Sequence, residues 1–352
     1  MNLRPLLLPF SFLYAAAARL RNLFFVTGIW KEKKFDIPVI LVGNLSVGGT
    51  GKTPHVEYLL DLLHKDYRLA TLSRGYGRKS KGFVVAGKGV DATMIGDEPM
   101  QYFSRYEDVT VAVCEKRSEG IERLMDADKN LQVIIMDDGY QHRQVNPGFK
   151  ILLTSYDKLF TRDFVLPAGD LREPRSASRR ADCIIVTRCN ESMTIQEKEQ
   201  LKKELRPGKH QQLFFSSLVY KELTAFYSNE TLLLNELTSR KVLLFTGIAH
   251  PDHLHNLVKQ HAASVELVRF SDHHEYNTTD ITLLKEKFDK FAGASAIIVT
   301  TEKDYQRLRN TPLMKELETL PCFFIPIKIK IHQETEFNQA IRNYVEKNKR
   351  DR

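Results

Sequence analysis

Cysteine is scarce in this sequence and unpatterned. The four cysteines, Cys114, Cys183, Cys189 and Cys322, are far apart and form no Cys-x-x-Cys pair. No thiolate metal site or disulfide framework is implied, and they read as small core residues of a reducing compartment. Long hydrophobic runs are missing as well. The apolar start, residues 5–29, is interrupted by Arg19 and Arg21, and its longest uncharged stretch, 5–18, is too short for a membrane-spanning helix. No polar region leads to a signal-peptide cleavage site. Internal repeats, low-complexity segments and nucleic-acid motifs are also absent, so nucleic acid is not an expected partner. Nor is any obligate protein partner indicated.

Charge leans the other way. The 352 residues carry 52 Lys and Arg against 44 Asp and Glu, a formal +8. Such a surface suits an anionic membrane or anionic small molecules, although an ordinary basic enzyme has it too. An apolar N-terminal helix lying on the membrane surface, held by Arg4, Arg19 and Arg21, fits residues 1–30 better than a span does. A helix packed on the domain surface is the plainer reading.

Residues 43–53 read Gly-Asn-Leu-Ser-Val-Gly-Gly-Thr-Gly-Lys-Thr and follow an apolar strand-like run from Ile37 to Val42. A strand entering a glycine-rich turn that ends in Gly-Lys-Thr is the pattern of a phosphate-binding loop. Ser46, Val47, Gly48, Gly49, Thr50 and Gly51 would cradle phosphate at a helix N-terminus. Lys52 would reach the β/γ-phosphates and Thr53 would ligate Mg²⁺. The usual spacing requires glycine at position 46, where serine stands. The loop is similar to those of dethiobiotin synthetase and MinD-type ATPases, which often place lysine where Val47 occurs here. A purely structural turn is the alternative.

Strand-like runs at 38–43, 68–73, 82–86, 109–113, 132–136, 150–154 and 183–187 alternate with helical patterns at 53–65, 97–106, 116–128 and 174–181. This rhythm predicts an α/β, P-loop NTPase-like domain with a mostly parallel sheet flanked by helices over 31–211. A charged helix, 192–206, ends at Pro207. Segments 212–220 and 321–331 are expected to pair as a two-stranded β connector. Between them, 221–320 reads as a smaller α/β domain with strands 241–246, 264–270 and 296–300 and helices 251–260, 278–291 and 303–309. Residues 332–352 form a polar amphipathic helix suited to packing back on the first domain.

Further motifs sit where strands end. The run Val133-Ile-Ile-Met-Asp137-Asp138 brings two carboxylates to the carboxyl end of a strand, where ligands gather in open α/β sheets. There they can serve Mg²⁺, though an acidic turn would look the same. Arg74 and Tyr76, in Ser-Arg-Gly-Tyr-Gly, follow another strand and suit an anion. Asp97 and Glu98 begin a helix, and Asp97 would by itself read as an N-cap. Arg172 and Glu173 close a Leu-Pro-Ala-Gly loop, as a phosphate clamp and a metal support, or as a plain Pro-rich turn. His250, His253 and His255 lack a carboxylate or cysteine to complete a zinc set. His273 and His274, and then Thr301 to Asp304, follow strands of the second domain.

Taken in order over roughly 38–305, these motifs resemble the tetraacyldisaccharide 4′-kinase family. The segments are Gly43 to Pro54, Ser73 to Gly77, Gly96 to Pro99, Asp137 to His142, Leu166 to Pro174, Gly247 to Ala249, Asp272 to His274, and Thr301 to Asp304. The resemblance implies transfer of the ATP γ-phosphate to the 4′-hydroxyl of a tetraacyl disaccharide 1-phosphate. The place would be the cytoplasmic face of the bacterial inner membrane, with Mg²⁺ as cofactor. It further implies Asp97 as the catalytic carboxylate, with His273 as its partner and His274 a neighbouring candidate. Asp137, Asp138 and His142 would serve the nucleotide and metal region, with Gln141 nearby and Glu173 assisting the metal. Lys52 and Arg172 would neutralise charge, and the second domain would close over the first. Rival readings are a soluble MinD- or dethiobiotin-type ATPase and a nucleotide-binding scaffold. ATP consumption that depends on added lipid disaccharide separates the three.

Overall fold

The computed structural model describes residues 4–248, 251–272, 274–291, 295–309 and 311–349. It forms two compact units. One comprises the chain up to Leu218 together with Ile329 onward; the other is Val219–Lys328.

The first unit opens with helix α1, Leu8–Val26. Its sheet is built from β1 Val39–Asn44, β2 Leu69–Ser73, β3 Val84–Val85, β4 Thr110–Val113, β5 Val133–Asp137, β6 Phe149–Ser155, β7 Cys183–Thr187 and β8 Gln212–Tyr220. The helices between them are α2 Lys52–Leu63, α3 Ala92–Ile95, α4 Asp97–Arg105, α5 Arg117–Ala127 and α6 Ile195–Leu205. In the second unit, β9 Leu223–Ala225, β10 Thr231–Leu232, β11 Lys241–Thr246, β12 Ser264–Arg269, β13 Ala296–Thr301 and β14 Cys322–Ile325 alternate with α7 Asp252–His261, α8 Thr278–Phe291, α9 Glu302–Arg309 and α10 Leu313–Glu316. Strand β15, Ile327–Ile331, and helix α11, Glu334–Asn348, finish the chain.

The first sheet has the order β15-β8-β7-β6-β1-β5-β2-β4-β3. From β8 to β4 the pairings are parallel, and β3 is an antiparallel edge. A parallel sheet needs cover on both faces, and β1 shows it: all six residues are buried. Val39 and Leu41 enter one apolar core, Ile40 and Val42 the other. Helix α11 joins the second of these through Phe337, Ile341 and Val345, spaced four apart along one helical face.

Some local expectations needed correction. The strand expected over 82–86 pairs only at Val84–Val85, because Gly82 adopts a positive φ just before it. The helix expected over 174–181 is a 3-10 turn, Arg175–Arg180. Short α3 and the β9–β10 hairpin were not anticipated.

The second sheet runs β10-β9-β14-β13-β11-β12, parallel from β14 to β12. Asp304, fully buried at the start of α9, ties its strand ends together. It accepts from Thr246 Oγ1 at 2.9 Å, Thr301 Oγ1 at 2.7 Å, Tyr276 OH at 2.9 Å and the Gly247 amide at 3.1 Å.

Candidate active site

The loop between β1 and α2 turns where its glycines permit. Gly48 and Gly51 have φ of +102° and +84°, in the left-handed region that costs glycine little. Gly51 caps α2, and Lys52 and Thr53 form its first turn. Ser46 needs no such freedom: it is extended and bridges Leu171. That accounts for a serine where the usual spacing has glycine. The Val47 amide donates to Asp170 O at 2.7 Å, and the Arg172 amide to Leu45 O at 2.6 Å. On the other side Arg188 donates to Gly49 O at 2.6 Å and Thr187 Oγ1 to Thr50 O at 3.0 Å. The loop is thus held from both flanks.

His55, buried in the first turns of α2, adds an internal brace. Its Nδ1 lies 2.7 Å from Gly51 O, which can only accept, so Nδ1 carries the proton and Nε2 accepts from Ser216 Oγ at 3.0 Å. Burial pushes its pKa down to about 4, against the small upward pull of the Gly51 bond.

A charged group gathers at the carboxyl ends of β1 and β5. Asp138, at φ +50°, accepts from Arg172 at 3.0 Å and lies 3.7 Å from Lys52 Nζ. Burial pushes the Asp138 carboxyl up, but Lys52 and Arg172 outweigh it and hold the pKa below its usual value. Arg172 also donates to Asn44 Oδ1 at 2.6 Å, and Gln141 to Asn44 O at 2.9 Å. Gly43 makes this junction possible, since a Cβ there would fall 2.8 Å from Tyr140 Cβ.

Asp137 is different. It is fully enclosed, accepts from Tyr102 OH at 2.9 Å through Oδ2, and leaves Oδ1 without a hydrogen bond. Burial raises its pKa to about 7; Lys52 opposes this, while Asp138 and Glu98 add to it. Arg117, at the start of α5, is its counterpart in charge. It is 2% exposed, and its Nε and Nη2 have no hydrogen-bond partner. Burial lowers its pKa to about 10, with Asp137 and Asp138 pulling the other way. The Asp137 carboxylate and Arg117 guanidinium each bury polar atoms unsatisfied, a costly arrangement unless a ligand completes it. His142 lies in the same field: burial first, then Arg117 and Arg74, lower its pKa to about 4.

The Arg74 and Asp97 segments meet backbone to backbone. A Cβ on Gly75 would lie 2.6 Å from Ile95 O, and one on Gly96 3.0 Å from Tyr76 O. This contact seats Asp97 and Glu98 in the first turn of α4, beside the turn that carries Arg74 and exposed Tyr76.

One expected ligand is placed elsewhere. Glu173 is completely buried, and its two oxygens accept from Arg21 at 2.7 Å and Arg180 at 2.5 Å. Asn22 approaches it at 3.5 Å. With both oxygens paired to arginines, Glu173 braces α1 against the loop that carries Arg172. Among the described residues no group of three or more His, Cys, Asp or Glu is arranged to hold a metal. His273 and His250 lie outside the described residues. His274 donates through Nε2 to Asp280 Oδ2 at 2.8 Å, and its ring stacks on Phe270 at 4.7 Å.

Arg117, Asn44, Tyr102 and Arg188 were not singled out from the sequence. Arg117 follows β4 as Arg74 follows β2 and Arg188 follows β7. A basic residue shortly after these three parallel strands was therefore an available signal.

A parallel sheet, a glycine loop ending in Lys52 and a cluster of arginines and carboxylates at the strand ends define a P-loop protein built for phosphoryl groups. The LpxK family model, described as Tetraacyldisaccharide-1-P 4′-kinase, matches residues 3–346. The chain belongs to that family. It is 44% identical over 351 residues to the tetraacyldisaccharide 4′-kinase of Phocaeicola vulgatus, covering 98% of this chain and 96% of the relative. The Flavobacterium johnsoniae enzyme of the same name is 42% identical, with 99% of each chain covered. Among solved structures, LpxK from Aquifex aeolicus in complex with ATP is similar with a TM-score of 0.74 and 31% identity, covering 97% of this chain and 99% of that one.

Proposed function

We propose that this chain is an ATP-dependent kinase that phosphorylates the 4′-hydroxyl of a tetraacyldisaccharide 1-phosphate, a step of lipid A biosynthesis that yields lipid IVA. The observation that carries the reading is the Lys52–Asp138–Arg172 group at the mouth of the phosphate loop, in a chain that matches the family along nearly its whole length.

Residues 46–53 hold the donor phosphates, with Lys52 and Arg172 as the neutralising cations. The residues that would hold Mg²⁺ are Thr53, Asp137 and Asp138. Buried Asp137 Oδ1, which has no hydrogen bond, supports this, since an enclosed carboxylate oxygen without a partner is costly unless a cation completes it. Bound there, Mg²⁺ would supply charge neutralisation on the transferring phosphoryl group. Asp97 serves as the base for the 4′-hydroxyl, and His273 as its orienting partner. The commitment of His274 to Asp280 favours His273 over its neighbour for that role. Arg74, Tyr76, Glu98, Gln141 and His142 act as substrate or supporting residues. Buried Arg117 offers its unpartnered Nε and Nη2 to an anion in the same field.

We further propose that α1 docks on the cytoplasmic face of the inner membrane. No helix among the described residues is long and apolar enough to cross a bilayer. Three α1 polar side chains bond to the protein: Ser11 Oγ accepts from the Ala168 amide at 2.9 Å, Tyr14 OH donates to Arg172 O at 3.0 Å, and Arg21 pairs with Glu173. Its apolar side chains face outward, with Phe12, Leu13 and Val26 each more than 70% exposed. That is the reverse of a soluble amphipathic helix and suits an apolar medium outside.

The deciding experiment follows ³²P from γ-labelled ATP into a tetraacyldisaccharide 1-phosphate in detergent micelles. Labelled lipid is expected. ATP hydrolysis at the same rate without the lipid, and no labelled product, would overturn the assignment.

A further inference from the structure

The 139–147 segment that leads from β5 to β6 walls a cavity of about 230 Å³, which the phosphate loop does not line. Its polar lining includes Glu32, Tyr140, Arg143, Lys150 and Arg180. Two of the three cations are already compensated. Arg143 donates through Nε to Glu32 at 2.9 Å, and Arg180 through Nη2 to Glu173 at 2.5 Å. The Arg180 guanidinium also lies 4.5 Å from the Tyr140 ring centroid.

Lys150 is not compensated. Its Nζ donates to Pro147 O at 2.7 Å, and no carboxylate comes within ion-pair distance of it among the described residues. The Asp182 carboxylate is near, but it accepts from the Lys150 backbone amide at 2.8 Å. Burial lowers the Lys150 pKa, and Arg180 and Lys34 add to the effect against Asp182 and Glu32. A half-buried ammonium with one neutral acceptor and a cavity beside it lacks an anion. Arg143 has Glu32, but Arg180 shares Glu173 with Arg21, so positive charge around the cavity exceeds negative charge and favours an anionic ligand. A phosphodiester, which carries one negative charge, is one such anion.

The surroundings indicate what else the ligand carries. Arg143, a wall of this cavity, also donates through Nη1 to Asn22 O of α1 at 2.9 Å and lies 4.9 Å from the Phe25 ring centroid. Near that end of the helix, Leu23, Val26, Ile29 and Trp30 are 52%, 75%, 65% and 45% exposed. A polar cavity with an excess of positive charge therefore adjoins an exposed apolar surface.

We propose that this cavity binds the phosphodiester headgroup of a membrane glycerophospholipid, with Lys150 as its cation and the acyl chains along the exposed end of α1. The proposal rests on the membrane-docking reading of α1. A free phosphate monoanion shares the headgroup chemistry, and the test separates the two.

The full chain is held in dodecyl maltoside micelles, which contain no phosphate, and its lysines are acetylated with an N-hydroxysuccinimide ester and followed by mass spectrometry. Phosphatidylglycerol added to the micelles is expected to slow acetylation of Lys150 severalfold, and ATP to slow that of Lys52 but not of Lys150. Lys150→Gln is expected to weaken retention of phosphatidylglycerol through delipidating washes severalfold, while Lys150→Arg retains it. Unchanged acetylation of Lys150 with the lipid overturns the proposal. Protection by inorganic phosphate but not by phosphatidylglycerol overturns the lipid in favour of a free anion. Vesicle flotation of the unmodified protein tests α1 docking separately, so failure of that reading is distinguishable from an empty cavity.

Discussion

At the residue scale the paired carboxylates of β5 divide the work. Asp138 is held ionised by Lys52 and Arg172, while Asp137 is pushed to about 7 by burial. A carboxyl whose folded pKa is raised binds its proton more tightly in the native state. Its penalty is absent below the unfolded value, grows as pH rises toward 7, and is constant above that, on the order of a few kcal/mol. Between about pH 4 and 7 the ligand-free protein should therefore lose stability relative to Asp137→Asn, whose amide does not titrate. Thermal melts of both proteins across that range check this. A constant difference in Tm would mean that Asp137 does not titrate there. Added Mg²⁺–ATP should raise the melting temperature of the wild type more than that of the variant at pH 7.

Asp97 carries the other residue-scale prediction. General-base contributions amount to about 10²–10⁴ in rate. Asp97→Ala should lower kcat by about a hundredfold or more, while ATP affinity measured by nucleotide titration stays within about threefold. Full turnover in the variant would remove Asp97 from the base role. Sequence spacing could bring Lys52, Asp138 and Arg172 to notice because each lies in a motif at a strand end. Arg117 escaped notice because only the fold reveals that its guanidinium is 2% exposed beside two aspartates. The pairing of Glu173 with Arg21 and Arg180 was hidden for a related reason: adjacent Arg172 and Glu173 point their side chains to different partners, and the sequence does not say which faces the phosphate loop.

At the scale of elements, the parallel strands were legible because both faces are covered and their apolar runs are continuous, as in β1, β5 and β7. Edges were less legible. Strand β3 makes only two residue pairs, although the apolar run 83–86 marks its place. Helix α1 is the element whose pattern and environment disagree most with a soluble protein. Its anchoring bonds come from Ser11, Tyr14, Arg21 and Asn22, so substitutions on the opposite face should leave the fold intact. Leu13→Asp with Leu20→Asp is expected to keep the melting temperature within about 2 °C, since exposed changes cost within about 0.5 kcal/mol. Flotation with anionic vesicles should fall severalfold. Unaltered flotation would show that the outward face of α1 is not what meets the bilayer.

At the scale of the whole molecule, the chain leaves the first unit at Leu218 and returns to it at Ile329. The returning α11 is not a loose tail. Phe337, Ile341 and Val345 are at most 2% exposed and share a core with Ile40 and Val42 of β1 and Leu59 and Leu60 of α2. Tyr344 OH donates to Val39 O at 3.2 Å and accepts from its amide at 3.1 Å, and Tyr58 OH donates to Asn338 at 2.8 Å. The strand and helix that carry the phosphate loop thus lean on this returning helix. Burying each of the three apolar side chains contributes about 1.5–3 kcal/mol, comparable in sum with the net stability of a domain. Ending the chain after His332 should therefore leave the first unit without a cooperative melt. Phe337→Ala in the full chain should cost about 3–5 kcal/mol and lower the melting temperature by several degrees. Because the loop itself is untouched, the variant should still bind ATP at low temperature with near-normal affinity, measurable by titration calorimetry. A truncated chain that melts cooperatively at the wild-type temperature would show that the first unit is complete without its returning segment.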